Sequence, residues 1–155
     1  TNQEAFSVHY RSSSRIGKSA KRHLADPSLS CACLHLTVPK LLNDHETFGL
    51  MFEALVERDL RIYADCLEGH LYHFRDNSSG DEVDAIVEFK DGEYAAFEIK
   101  LSDGSIQDAI SSLTKFQNHV EKKQAFMCVI VGHLDTVMRD SQTGVFIIPI
   151  TSLKP

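Results

Sequence analysis

At 155 residues, 43% apolar and 25% charged, the chain has the size and make-up of one globular domain, which argues against wholesale disorder. Its longest apolar stretch, Ala125 to Gly132, is too short to cross a bilayer, and no charged stretch followed by an apolar core marks a secretory leader. The net charge of −6 is uneven: residues 1–24 carry Arg11, Arg15, Lys18, Lys21 and Arg22 against Glu4 alone, and the remainder has an acidic excess of −10, a poor partner for nucleic acid unless the charges segregate or a cation intervenes.

Residues 1–24 are polar, with Ser12–Ser14 and little apolar periodicity. They read as a basic arm or the remnant of an upstream region, peripheral to a domain spanning 25–155. A chain that opens on Thr1 rather than Met reads as a fragment or a processed product. Asp26 followed by Pro27 is a helix start, because Asp caps free amides and Pro suits the first turn. A short helical piece through Leu29 to Leu34 follows, and another begins near Pro39. From Asp44 to Gly69, Phe48, Phe52, Leu55, Val56, Tyr63 and Leu67 recur at three- and four-residue spacings, which predicts a helix with one apolar stripe. Leu71–Arg75 predicts a strand. Val83–Phe89 and Tyr94–Leu101 predict two strands of a hairpin closed through Lys90–Glu93. Ile106, Ala109, Ile110, Leu113, Phe116 and Val120 predict a second helix, and Phe126–Val131 and Val145–Ile150 two further short strands. Helix, three strands, helix, two strands implies a mixed sheet covered by helices, hence α/β or α+β.

Several chemistries lack support. No Gly-rich phosphate loop with a following Lys-Ser/Thr is present, and no Gly-x-Ser-x-Gly elbow. Cys31, Cys33 and His35 match no common zinc spacing, and with Cys66 and Cys128 they are too irregular for a disulfide framework. A reducing, cytoplasmic setting is the simpler expectation.

Asp84, Glu98 and Lys100 form Asp-x(13)-Glu-x-Lys on the two hairpin strands. Mg²⁺ or Mn²⁺ wants oxygen ligands, and carboxylates from neighbouring strands supply them at fixed separation. A Lys two residues after the second carboxylate shares its side of the sheet, where it can stabilise charge on a reacting phosphate. The same alternation also describes any strand with one wet face. Register discriminates. A two-residue turn at Asp91-Gly92 pairs Lys90 with Glu93 and throws Asp84 to the face opposite Glu98. A three-residue turn with Gly92 left-handed pairs Phe89 with Glu93 and sets Asp84 against Glu98. One face then becomes Val83, Ala85, Val87, Phe97 and Ile99, and the other gathers Asp84, Glu98 and Lys100. Patterning and chemistry favour this second register. Glu53, at the border of the first helix's apolar stripe, is placed to lean toward such a cation, although on position alone an ordinary helix-surface ion pair is the favoured explanation.

Helix, then Asp on the second strand and Glu-x-Lys on the third, resembles the PD-(D/E)XK nuclease-like superfamily. More closely, "FGLMFEALVERDLRIYA", "EVDAIVEFKDGEYAAFEIK" and "FIIPI" resemble the uncharacterised C-terminal domain that follows an AAA+ ATPase module in many prokaryotic proteins, and "AKRHLADPSLSCACL" resembles the segment preceding that domain. The resemblance spans roughly residues 20–151. It implies a restriction-endonuclease-like core, Mg²⁺ or Mn²⁺ held by Asp84 and Glu98, Lys100 as catalytic lysine, and Glu53 assisting the metal or the water. Position 83 is Val where the superfamily's name has Pro. Two functions follow as expectations: metal-dependent hydrolysis of DNA or RNA, or a catalytically idle fold that binds nucleic acid or protein beside the ATPase. Arg58, Arg61, Arg75, Lys115, Lys122 and Lys123 are candidates for a basic rim.

Overall fold

The computed structural model describes residues 2–8, 20–22 and 25–154. Strands β1 (Asn2–Ala5) and β2 (Lys21–Arg22) come first, then helices α1 (Pro27–Cys33), α2 (Val38–Asn43) and the long α3 (His45–Cys66). Next follow β3 (His70–Arg75), β4 (Glu82–Glu88), β5 (Tyr94–Lys100), α4 (Ile106–Gln117), β6 (Gln124–Val131), β7 (Met138–Arg139) and β8 (Phe146–Pro149). These strands form one eight-stranded sheet in the order β2-β1-β3-β4-β5-β6-β8-β7. β3, β4 and β5 run as an antiparallel meander, whereas β1 lies parallel to β3 and β6 parallel to β5. The fold is mixed α/β with helices flanking the sheet, as the element order predicts.

Local chemistry sets the helix boundaries. The Asp26 carboxylate accepts from the Ser28 amide at 2.8 Å with Pro27 in the first turn, and the Asp44 carboxylate caps α3 through the Thr47 amide at 3.0 Å. Phe52, Val56, Leu60 and Ala64 of α3 pack on one sheet face against Ala85, Val87, Phe97 and Ile99. On the other face, Ile106, Ala109, Ile110, Leu113 and Phe116 of α4 pack against Ile86, Tyr94, Ala96 and Val129. Burying each such large side chain contributes about 1.5–3 kcal/mol. The α3 stripe is rotated from the one read in the sequence. Leu67 lies beyond the helix and is exposed, while Glu57 is buried in the contact face.

Three expectations are corrected. The described part of residues 1–24 is not peripheral: β1 lies within the sheet, Gln3 and Phe6 are 0% exposed, and Phe6 packs on Tyr72, Tyr94 and Phe116. The polar segment Asn2–Ala5 carries no apolar alternation of its own; it becomes a strand because β3 offers a ladder and the core offers a place for Phe6. Residues 9–19 of the arm lie outside the described residues. The face expected to be wet is also buried over most of its length, by α4. Finally, Val83 sits in the α4 layer, not with Ala85 and Val87. Its cause is a bulge: Tyr72 pairs with Ile86 but Phe74 with Val83, so an extra β4 residue is accommodated between them.

Candidate active site

The β4–β5 connection builds the site. Phe89 and Glu93 are joined by the Phe89 amide donating to the Glu93 carbonyl at 2.9 Å, and the Gly92 amide returns to the Phe89 carbonyl at 2.9 Å. Gly92 has φ +84°, a left-handed value that glycine adopts without a side-chain clash. This is the three-residue closure, and it carries through to Ala85 opposite Phe97. The paired register ends there, and Asp84, the next residue of β4, reaches β5 through its side chain, at the Ile99 amide.

The three motif residues are brought together. Lys100 Nζ lies 2.6 Å from Glu98 Oε2 and 3.6 Å from Asp84 Oδ2. Asp84 Oδ2 also accepts from the Ile99 amide at 2.8 Å, so the bulged end of β4 is tied to β5 by a side chain. From α4, the Ser112 hydroxyl reaches Glu98 Oε1 at 3.2 Å and the Glu82 carbonyl at 3.0 Å. Glu98 is 4% exposed. Burial, reinforced by the negative charge of Asp84, pushes its carboxyl up to about 7, against the opposing pull of Lys100 and Ser112. Burial alone draws the Lys100 ammonium down, but Asp84 and Glu98 together outweigh it and the net displacement is upward.

Glu53 is not in this hydrogen-bonded group. It pairs with Lys21 of β2, which also donates to Glu57 Oε1 at 2.6 Å. The two clusters are nonetheless electrostatic neighbours, because the charge of Glu53 acts on Lys100 and that of Asp84 acts on Glu57. Burial pushes the Glu57 carboxyl up to about 7 despite Lys21. Sequence reasoning missed three of these residues. Glu57 was legible in principle, one turn after Glu53 and one turn before Leu60 and Arg61. Ser112 lies at helical spacing from Ala109 on the α4 contact face. Lys21 left no local signal, since its partners are 32 and 36 residues away.

Glu98 and Lys100 lie at the floor of an open cleft of about 440 Å³, walled by Asp81 and Glu82 on one side and Asp108, Ser111, Ser112 and Lys115 of α4 on the other. The basic rim does not converge there. Of its six members only Lys115 lines the cleft, whereas Arg58 binds Asp26 and Asp59, Lys122 binds Glu88, and Lys123 binds Glu93. Among the described residues no three His, Cys, Asp or Glu side chains converge on a point that would hold a metal ion. Mg²⁺, however, is commonly held by one or two carboxylates with water and substrate phosphate completing the sphere. Asp84 and Glu98, both within reach of Lys100 Nζ, are the hard-oxygen donors that would hold such an ion.

Fold and site together define a mixed α/β domain with a carboxylate–lysine cluster at the end of its central hairpin. The chain belongs to the family described as domain of unknown function DUF4143, whose family model matches residues 48–153. That match includes Asp84, Glu98, Lys100 and Ser112 and leaves out Lys21. No curated protein and no solved structure matches the chain. No helix among the described residues is long and apolar enough to cross a membrane.

Proposed function

We propose that Asp84, Glu98 and Lys100 form the site of a metal-dependent phosphodiester hydrolysis acting on nucleic acid, in a PD-(D/E)XK-like nuclease domain attached to an AAA+ ATPase module. The observation that carries this reading is the contact of all three side chains in an open cleft, with Lys100 Nζ at 2.6 Å and 3.6 Å from the two carboxylates. Bound at Asp84 and Glu98, Mg²⁺ or Mn²⁺ would polarise the scissile phosphoryl group and bring the pKa of an attacking water toward neutrality. Lys100 holds positive charge at a shielded position, 28% exposed, where charge develops on the phosphoryl oxygens. Ser112 fixes the Glu98 carboxylate from the α4 side, and the Ile99 amide fixes Asp84. The eight-stranded mixed sheet is compatible with the nuclease core, and the ATPase attachment rests on the sequence resemblance.

The test pairs two measurements. Calorimetry should show Mn²⁺ binding to the wild-type chain and none to Asp84→Asn. A plasmid-nicking assay in Mg²⁺ should show cleavage that falls by about 100-fold or more in Lys100→Ala. Equal nicking by Lys100→Ala and wild type would refute the catalytic assignment. The second reading, an idle fold that binds protein or nucleic acid, is favoured by the acidic cleft lining, in which Asp81, Glu82 and Asp108 join the two site carboxylates against Lys100 and Lys115. It requires that no nicking occur even where Mn²⁺ binds.

A further inference from the structure

The α4 wall of the cleft is polar in a regular way. Asp108, Ser111, Ser112 and Lys115 lie three or four residues apart, so they form one stripe along the helix, opposite the side that packs on the sheet through Ala109, Ile110 and Leu113. Ser112 pins this stripe to the site, because its hydroxyl lies within hydrogen-bond reach of Glu98 Oε1 and the Glu82 carbonyl. Lys115 follows three residues later, about 4.5 Å further along the helix axis. Ser111 stands four residues before Lys115, and the two are exposed neighbours on the helix surface. The stripe is graded in charge, from the Asp108 carboxylate at one end through two hydroxyls to the Lys115 ammonium at the other.

Lys115 is also uncommitted. Lys21, Lys90, Lys100, Lys122, Lys123 and Arg58 each bind a carboxylate, whereas Lys115 forms no ion pair with any described residue. Lys100, the other lysine of the cleft, is taken up by Glu98 at 2.6 Å and Asp84 at 3.6 Å. The facing wall offers Asp81 and Glu82, so a polyanion in the cleft meets like charge everywhere except toward the Lys115 end of α4. We propose that Lys115, with the Ser111 hydroxyl, holds a backbone phosphate beside the one at Asp84, Glu98 and Lys100, so that a nucleic-acid strand lies along α4 and enters from its C-terminal end. This rests on the nucleic-acid part of the function proposed above and not on hydrolysis. An ammonium and a hydroxyl on phosphate oxygens fix the register of a strand and read no base, so the grip is indifferent to sequence.

The experiment is binding of a fluorescein-labelled single-stranded DNA oligonucleotide, followed by anisotropy over a series of salt concentrations. It is run in Ca²⁺, a hard cation suited to the carboxylates, on wild type, Lys115→Gln, Lys115→Arg and Lys40→Gln. Lys40 lies on α2, which packs with α3, and its substitution changes the net charge by the same amount. Lys115→Gln should bind several-fold more weakly, and its slope of log affinity on log salt should shrink by about 0.7, the value for one phosphate contact on a single strand. Lys115→Arg and Lys40→Gln should keep the wild-type slope. Lys115 is exposed, so these variants keep the fold. An unchanged slope in Lys115→Gln, or an equal loss in Lys40→Gln, would overturn the proposal while leaving nucleic-acid binding standing. No binding by the wild-type chain would remove the nucleic-acid reading itself, and the proposal with it.

Discussion

Replacing Glu98 by Gln should make the protein more stable at alkaline pH while removing one carboxylate of the candidate site. The carboxyl ordinarily titrates at 4.5 and in the folded chain is pushed up to about 7, by burial first and by Asp84 second. Between those two values the folded protein keeps a proton that the unfolded chain has released, so stability falls as pH rises through that window. At about 1.4 kcal/mol per pH unit the gap amounts to roughly 3 kcal/mol by pH 8. Gln has the shape of the protonated acid and carries no charge to desolvate. The lost contact with Lys100 is already contained in that figure, because the lysine opposes the upward displacement. Urea unfolding of wild type and Glu98→Gln at pH 5 and pH 8 measures the effect. The variant should gain about 1–3 kcal/mol at pH 8 and little at pH 5, with the slope on urea unchanged. Glu57 titrates in the same window and affects both proteins alike, so the difference isolates Glu98. A variant less stable than wild type at pH 8, or a difference that ignores pH, would refute the reasoning.

Phe6→Ala should cost about 3–5 kcal/mol in urea unfolding, as for a fully buried aromatic, because Phe6 is 0% exposed against three other rings; a loss below 1 kcal/mol would mean that β1 is not part of the folded unit. Gly92→Ala meets no steric obstacle in space but must adopt φ +84°, so a loss of about 1 kcal/mol in a thermal melt is expected, and none would show that the turn rearranges.

Much of the site was legible because it is local. The hairpin spans residues that are near in sequence, and period-two patterning with one glycine decided between two registers. Asp84, Glu98 and Lys100 followed from that choice. What escaped was set by partners far along the chain. Asn2–Ala5 is a strand only beside β3, and Lys21 meets Glu53 and Glu57 only because β1 pairs with β2. The layer of Val83 depends on a bulge against β3 that its own sequence does not announce. Treating one face of the hairpin as wet failed for a related reason: a crossover helix covers it, and the strand residues on that face, Ile86, Tyr94 and Ala96, were apolar all along.

β1 also has a protective consequence. It stands between β3 and solvent, accepting a parallel partner whose residues Leu71, Tyr72, His73 and Phe74 are all buried. The meander of β3, β4 and β5 closes through short connections, but β1 joins it only after a loop of more than sixty residues is closed, as the Gln3 bond to the Tyr72 carbonyl across 69 positions requires. Until then β3 is an edge strand with unpaired amides and two aromatic rings, the kind of surface on which a second chain can pair. The short strand Asn2–Ala5, three of its four residues polar, therefore covers an edge on which a second chain could otherwise pair.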